Sequence, residues 1–163
     1  GYVGHRDLQC FPTRRSSDLT FIHQRLNVNS EVSWGMKKLF GFVMVGSNNL
    51  NKSAKFYDAV FVPLGIKKVK TTEKYIGYTQ KNNLNKIEFY VTKPYNKEVA
   101  TYGNGTMISF LADSTKAVDS FHSSALENGG VDEGLPGIRS DGNYYAYIRD
   151  PDGNKICAKC NSN

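Results

Sequence analysis

An internal repeat constrains the fold of this chain more than any other feature of its sequence. Residues 50–66 match residues 115–131 at an offset of 65, and residues 85–88 match residues 154–157 at an offset of 69. Similarity at a nearly fixed spacing indicates that one supersecondary unit occurs twice. The predicted modules span about residues 38–93 and 104–160.

Each module is predicted to fold as one strand, one helix and three further strands. The spacing of apolar residues changes from a period of two to a period near 3.6 and back, which separates strands from an amphipathic helix. The predicted strands are 42–45, 66–71, 74–80, 86–92, 106–112, 131–134, 143–149 and 155–160, and the predicted helices are 50–62 and 115–128. This order predicts an α+β fold of two βαβββ modules.

Turn and cap residues support these boundaries. Glycines follow both predicted helices, as they commonly do at helix ends, and Asp113 or Ser114 suits the start of the second helix. The string Asp150-Pro151-Asp152-Gly153 favours a tight turn, because proline fits its first central position and glycine tolerates a positive φ. It is predicted to join the last two strands as a hairpin.

The repeat and three local motifs together resemble the vicinal oxygen chelate superfamily. These motifs are the helix string at 49–57, the strand opening at 103–107 and the turn at 150–155. The superfamily includes glyoxalase I, bleomycin-resistance proteins, fosfomycin-resistance enzymes and extradiol dioxygenases. The resemblance covers nearly all of residues 38–160 and implies a curved, glyoxalase-like cleft.

The resemblance also implies metal ligands at corresponding positions on the first and last strands of both modules. These positions fall on Phe42, Glu88, Met107 and Cys157, and the offset of 65 pairs Phe42 with Met107. Phenylalanine and methionine offer a divalent cation no oxygen or nitrogen, whereas catalytic metal sites generally use three protein ligands. We therefore expect no metal or other cofactor, although the superfamily would imply a divalent metal.

Strand alternation separates side chains that face the helices from those that face the cleft. The predicted helix-facing set is Val43, Val45, Ile87, Phe89, Val91, Ile108, Phe110, Ile156 and Ala158. The predicted ligand cleft contains Phe42, Met44, Glu88, Tyr90, Met107, Ser109, Tyr145, Tyr147 and Cys157. Aromatic and polar groups on one concave wall are typical of a site for a small organic molecule. The alternative is that these bulky side chains fill the cleft.

Glu88 is the candidate catalytic residue. A carboxylate buried among apolar and aromatic neighbours has a raised pKa and can act as a general acid or base. The alternative is an exposed strand glutamate paired with a lysine such as Lys155.

Cys157, Cys160 and His122 receive structural interpretations. The two cysteines are three residues apart, so a strand would point them to opposite faces about 10 Å apart, too far for a disulfide. Cys157 is predicted to line the cleft and Cys160 to act as a small buried hydrophobe. His122 has no carboxylate in helical register and is interpreted as a surface or half-buried residue.

The first 35 residues differ in composition from the rest. They contain four arginines and no lysine, whereas residues 36–163 contain fifteen lysines and two arginines. Residues 11–19 also match the frame translation of a common sequencing adapter. We therefore expect residues 1–35 to be a non-native extension and the glyoxalase-like domain to span residues 36–163.

The net charge of +6 does not by itself indicate a nucleic acid partner. The lysines occur singly or in pairs, without a regular stripe of cations and aromatic residues. The longest apolar stretch, residues 39–45, is far shorter than the roughly 20 residues of a membrane helix. We predict a cytoplasmic homodimer with a small-molecule ligand and with no nucleic acid or membrane partner.

Three functions remain open at this point. The leading prediction is a glyoxalase-like protein that binds a small organic molecule without the usual metal centre, with or without catalysis. The resemblance also implies a metal-dependent lyase, similar to lactoylglutathione lyase, or a dioxygenase. A drug-sequestering resistance protein is the third.

Overall fold

A computed structural model describes residues 39–161, so the predicted extension at residues 1–35 lies outside the described range. In chain order the elements are β1 Val43–Gly46, α1 Leu50–Val60, a 3-10 helix Val62–Leu64, β2 Ile66–Thr71, β3 Tyr75–Gln80, β4 Phe89–Thr92, β5 Ile108–Leu111, α2 Thr115–Glu127, β6 Val131–Ile138, β7 Tyr144–Arg149 and β8 Lys155–Cys160. The α+β class and the two βαβββ modules are confirmed. Neither helix in this range is long and apolar enough to cross a membrane.

Each module forms one four-stranded mixed sheet. The strand orders are β1-β4-β3-β2 and β5-β8-β7-β6. The first strand of each module runs parallel to the last, and the other neighbours are antiparallel. Parallel strands cannot be joined by a hairpin, so the chain between them must cross over, and each helix lies in that crossover. The two helices begin 65 residues apart, as the repeat predicts.

Polar side chains cap both helices. The Oδ1 atom of Asn49 accepts a hydrogen bond from the backbone nitrogen of Lys52 at 3.0 Å. Ser114 Oγ accepts from the backbone nitrogen of Ala117 at 3.2 Å, so Ser114 rather than Asp113 is the cap of α2. These bonds satisfy backbone donors that the first turn of a helix leaves unpaired.

Two strands differ in length from the prediction. β6 continues past Gly134 to Ile138. The register with β7 shifts on either side of Gly134, so β-bulges let the pairing continue through the glycine-containing segment. It is also an edge strand, so Pro136, which has no backbone N–H group, is tolerated there. β4 begins at Phe89 rather than at residue 86, because the preceding residues fold over β3.

One hydrophobic core joins the two modules. The ring of Phe110 in β5 lies 5.0 Å from that of Phe61, just after α1, and 5.3 Å from that of Phe89 in β4. Helix α1 also contacts α2. The predicted helix-facing residues that are buried are Val45, Phe89, Val91, Ile156 and Ala158, and those packed partly buried against the core are Val43, Ile108 and Phe110. The prediction for Ile87 is wrong, as described below.

The turn between β7 and β8 bonds the second module to the first. Asp150 Oδ2 accepts a hydrogen bond from the hydroxyl of Tyr57 in α1 at 2.7 Å. Asp152 Oδ2 accepts from Ser53 Oγ at 2.9 Å, and Asp152 Oδ1 accepts from the backbone nitrogen of Asn48 at 2.9 Å. The segment predicted as a hairpin turn therefore also fixes the two modules to each other.

Burial raises the pKa of both Tyr57 and Asp150. The Tyr57 side chain is fully buried, and Asp150 is 3% exposed. Loss of hydration disfavours the charged form of each group. Hydrogen bonds from Asn154 and Tyr57 stabilise the charged form of Asp150 and so offset part of the rise in its pKa. The tyrosine hydroxyl is one of four donors to this carboxylate, with the backbone nitrogens of Asp152 and Asn154 and the side-chain amide of Asn154.

We expect Tyr57→Phe to lower the free energy of unfolding by about 1.5–3 kcal/mol, the range for hydrogen bonds to charged groups. Urea unfolding of the full chain measures this loss. Tyr144→Phe is the matched control, because the hydroxyl of Tyr144 donates to Asp119 at 2.9 Å on an exposed surface. It should cost about 1 kcal/mol or less. Equal losses in the two variants would show that the bond between Tyr57 and Asp150 stabilises the fold no more than an exposed hydrogen bond does.

Candidate functional site

The face of the first sheet that points away from the core, here called the first open face, carries a row of aromatic rings. The Phe42 ring lies 5.2 Å from that of Tyr90, which lies 5.4 Å from that of Tyr75. Met44 is level with Tyr90 in the register of β1 and β4. Phe42 is 57% exposed and Met44 is 50% exposed. Phe42, Met44 and Tyr90 therefore lie on one face, as strand alternation predicts. Tyr75 was not among the predicted residues, although alternation along β3 could have found it.

Glu88 lies on the same open face, next to β3. Its Oε2 atom accepts from Thr79 Oγ1 at 3.2 Å, and its Oε1 atom accepts from Asn83 Nδ2 at 3.4 Å. The side chain is half-buried. Lys155, the alternative partner considered above, donates to Glu133 at 3.2 Å. Two neutral donors therefore hold the carboxylate of Glu88 in place.

The segment at residues 81–88 covers part of the first open face. A Cβ atom added to Gly77 would lie 2.6 Å from the side chain of Ile87, so Ile87 packs over this glycine. The Cβ position of Gly77 faces away from the core, because the next residue along the strand, Tyr78, is fully buried in the core. Ile87 was predicted to face the helix, but the chain is not yet in β4 at this point and alternation does not apply. Ile87 therefore covers this end of the first open face, whereas the filled-cleft alternative concerned Phe42, Met107 and the tyrosines.

The corresponding face of the second sheet, here called the second open face, is built around two stacked tyrosines. The rings of Tyr145 and Tyr147 lie 5.8 Å apart and are nearly parallel, at 6°. Cys157 in β8 pairs in register with Tyr147 on one side and with Ser109 on the other. Met107 lies just before β5 and is 45% exposed. The second open face thus unites the other predicted cleft residues.

Three cations lie over the tyrosine rings of the second open face. Lys155 Nζ is 5.6 Å from the ring centre of Tyr147, and Lys159 Nζ is 5.6 Å from that of Tyr145. The guanidinium carbon of Arg139 is 5.3 Å from the Tyr147 centre. Such contacts hold a cation over an aromatic face. The sequence analysis missed these residues, although the two lysines lie two positions either side of Cys157.

Two carboxylates share this face with the cations. Glu133 accepts from Arg149 Nε at 2.6 Å as well as from Lys155, and these bonds lower the pKa of Glu133. Asp141 accepts from the hydroxyl of Tyr145 at 2.6 Å, and this bond is the largest cause that lowers the pKa of Asp141 to about 2. Both carboxylates are therefore charged at neutral pH.

The Cys157 thiol is fully buried, and burial raises its pKa. A hydrogen bond with Ser109 and the charges of Lys155 and Lys159 act in the opposite direction but are smaller effects. A neutral thiol is a weak nucleophile and a poor metal ligand. Cys160 lies half-buried on the core side of the same strand, so the two cysteines point to opposite faces as predicted.

The sheet register changes one predicted correspondence between the modules. Val43 pairs with Phe89, which places Phe42 level with Glu88, whereas Ser109 pairs with Cys157. If Glu88 and Cys157 correspond, the counterpart of Phe42 is Ser109. The two predicted pairs, Phe42 with Met107 and Glu88 with Cys157, therefore do not both fit the sheet register, because the offset of the helices does not apply to every strand.

A cavity of about 160 Å³ is lined by residues of both modules. It is lined by Met44 of the first open face and by Lys155 of the second, together with Tyr102, Thr106 and Ile108. A larger depression of about 400 Å³ lies at the start of α1 and is lined by no predicted site residue. Of the predicted cleft residues, Met44 lines the smaller cavity.

His122 has a carboxylate partner that the sequence analysis missed. Its Nε2 atom lies 2.8 Å from Asp132 Oδ1, and His122 is only 5% exposed. The contact lowers the pKa of Asp132. Asp132 pairs with the buried Ile148 and so lies on the core side of β6. The prediction of a surface or half-buried histidine is wrong, because a partner on a strand cannot be found from helical spacing.

Comparison with known proteins establishes the family. The family model of the Glyoxalase/Bleomycin resistance protein/Dioxygenase superfamily matches residues 39–158. The chain belongs to this superfamily. A glyoxalase/bleomycin resistance protein from Albidiferax ferrireducens T118 is 43% identical, with a TM-score of 0.69, over 76% of this chain and 98% of that one. The resemblance drawn from the sequence is confirmed.

More distant crystal structures share the fold of this superfamily member. A glyoxalase-related enzyme from Fulvimarina pelagi is 20% identical, with a TM-score of 0.60, over 74% of this chain and 86% of that one. Lactoylglutathione lyase from Agrobacterium tumefaciens is 18% identical, with a TM-score of 0.51, over 73% and 91%. A comparison with curated proteins finds no match.

The residues at the superfamily's metal positions do not fit a divalent-metal centre. Phe42 and Met107 carry no oxygen or nitrogen donor, Ser109 as the alternative counterpart of Phe42 offers only a neutral hydroxyl, and Cys157 is held as a buried thiol. Glu88 supplies a single carboxylate that already accepts two hydrogen bonds. Among residues 39–161 no group of three or more histidine, cysteine, aspartate and glutamate side chains is placed to hold a metal ion.

We expect Cys157 to react with iodoacetamide at least about tenfold more slowly than Cys160 at pH 7.5. Burial removes access to the Cys157 sulfur and keeps it protonated, whereas Cys160 is partly exposed. Mass spectrometry of tryptic peptides from the native full chain distinguishes the two sites. Equal rates would mean that the second open face admits reagents to an ionised Cys157, and denatured protein provides the reference rate.

Proposed function

We propose that this superfamily member binds a small organic molecule between its two open faces, without a divalent metal at the superfamily's usual positions. The observation that carries the proposal is the side-chain chemistry at those positions. Phe42 is a half-exposed aromatic residue in contact with Tyr90, where the resemblance implies a metal ligand. Such a residue favours apolar contact with a ligand over coordination of a cation.

The exposed apolar side chains of the two faces supply the contact surface. Phe42, Met44 and Met107 are each about half exposed, and the cavity that Met44 lines is also lined by residues of the second module. Covering such side chains with an apolar group stabilises a complex by about 25 cal/mol for each Å² removed from water. A ligand with one ring or a short apolar chain fits this setting.

Glu88 is the proposed polar anchor on the first open face. Thr79 and Asn83 fix the direction of its carboxylate on this face, where it is a hydrogen-bond acceptor. A charged acceptor makes a stronger hydrogen bond than a neutral one. In a catalytic version of the proposal, Glu88 is the candidate general acid or base.

We also propose that the protein is a cytoplasmic homodimer. Leu111, Leu135 and Ile138 are at least 66% exposed on β5 and β6, the edge strands of the second sheet. Exposed edges with apolar side chains favour pairing with another chain. Cys157 and Cys160 are free thiols, which suits a reducing compartment.

Native mass spectrometry of the full chain tests the metal-free part of the proposal. We expect the same mass with and without prior treatment with a chelator, because the donor set lacks the three ligands that a catalytic metal needs. The same spectrum reports the subunit count. A stoichiometric loss of zinc, nickel, manganese or iron on chelation would instead favour a metal-dependent lyase or dioxygenase.

Glu88→Gln tests the proposed anchor. For a compound found by thermal-shift screening, we expect this variant to raise the dissociation constant at least about tenfold, equivalent to 1.4 kcal/mol. Isothermal titration calorimetry measures the change. Glu127→Gln makes the same substitution at the exposed end of α2 and should leave binding unchanged. If both variants bind like the parent, Glu88 is not the anchor.

A further inference from the structure

The second open face carries an excess of positive charge. It holds Arg139, Arg149, Lys155 and Lys159 among its tyrosines. Its acidic side chains in contact with these groups are Glu133 and Asp141. Four cations and two carboxylates leave an excess of two positive charges. On the first open face, Glu88 is accompanied by Lys67 and Lys70, which pair in register with Thr79 and Gly77 of β3.

The cationic groups are held over the sheet rather than extended into solvent. Lys155 and Lys159 each lie over a tyrosine ring, and Glu133 additionally holds Lys155. Each lysine lies two residues from Cys157, on the same side of β8, so the two flank that position. Side chains already held in place lose less conformational entropy when a ligand binds them.

The position between the two lysines offers hydrogen-bonding groups without negative charge. Cys157 is fully buried there, and the exposed Ser109 lies beside it on β5, so the serine hydroxyl is the group within reach of a ligand. Neither group repels an anion. Tyr147 pairs with Cys157 on the other side and adds an aromatic surface.

The connection before the last strand differs between the two modules. In the first module, residues 81–88 fold back over β3 and bury Thr79, whose hydroxyl oxygen lies 3.1 Å from the backbone oxygen of Asn83. The equivalent connection in the second module is the turn at residues 150–154, which instead contacts Tyr57 and Ser53 of α1. Tyr145 and Tyr147 are partly exposed, as Tyr75 and Tyr90 are on the first open face.

We propose that the second open face binds the oxyanion group of a small organic carboxylate or phosphate between Lys155 and Lys159, over Cys157. This inference rests on the proposed small-molecule function and adds the chemical class of the ligand. The apolar part of the ligand extends into the cavity that Lys155 shares with Met44 and Ile108. At about 160 Å³ this cavity is close to the size that accommodates a benzene ring.

Matched aromatic probes test the charge preference. Benzoate, phenyl phosphate and the neutral benzamide are titrated into the full chain at low ionic strength, with affinities from calorimetry. We expect both anions to bind at least about tenfold more tightly than benzamide, and the preference to shrink as salt is added. Benzamide binding as tightly as benzoate would overturn the anion assignment while leaving small-molecule binding intact.

Charge-neutralising variants locate the site. Lys155→Gln combined with Lys159→Gln should weaken benzoate binding at least about tenfold, whereas Lys155→Arg combined with Lys159→Arg should retain most of it. Lys81→Gln combined with Lys86→Gln, in the exposed turn of the first module, is the control and should bind benzoate like the parent. Thermal unfolding of each variant checks that the fold is kept. Unchanged benzoate binding in the Lys155 and Lys159 double glutamine variant would overturn the proposed site.

The outcomes separate this inference from the proposed function. If neither anion binds, the anion site is wrong, and the Glu88→Gln titration with the screened compound still decides whether the protein binds small molecules. If the anions bind but respond only to the Lys81 and Lys86 control, they bind elsewhere on the surface and the inference also fails.

Discussion

The buried hydrogen bond between Tyr57 and Asp150 joins the helix of the first module to the turn that leads into the last strand of the second. Asp150 begins the turn that leads into β8, and Asn154 at the end of this turn donates to the backbone oxygen of Gly46 at 3.0 Å. β1 and β8 are therefore fixed to each other through a few polar contacts. The cavity shared by Met44 and Lys155 lies beside this junction. The proposed site for the apolar part of a ligand therefore lies next to the polar contacts that join the two modules.

The internal repeat duplicates the architecture but not the surface chemistry. On the core side, corresponding strand positions hold small or apolar side chains such as Phe89 and Ala158, because both sheets must pack against a helix. On the open sides, one module presents Phe42, Tyr90 and Glu88, and the other presents tyrosines with Lys155 and Lys159. Open-face residues can diverge in this way at little cost to folding, since few core contacts depend on them.

The fold was predictable from sequence because each level of the pattern agrees with the next. Periodicity, caps and turn residues all place α1 and α2 65 residues apart, and alternation identifies the faces of the regular strands. Alternation failed at Ile87, where the backbone leaves the strand, and at β6, where bulges extend the pairing. It also could not identify the partner of His122, since sequence spacing shows which face a residue is on but not which distant residue it meets.

In the proposed site, the positive charge that attracts a ligand comes from lysine side chains rather than from a divalent metal. A divalent metal supplies concentrated positive charge and polarises the oxygen that it binds. Lys155 and Lys159 place two monovalent charges beside the position where the superfamily resemblance implies a ligand, now Cys157. Ammonium groups attract an oxyanion and orient it without acting as a Lewis acid. The residue set therefore supports the proposed recognition of an anion on the second open face, and Glu88 on the first open face is the proposed acid or base.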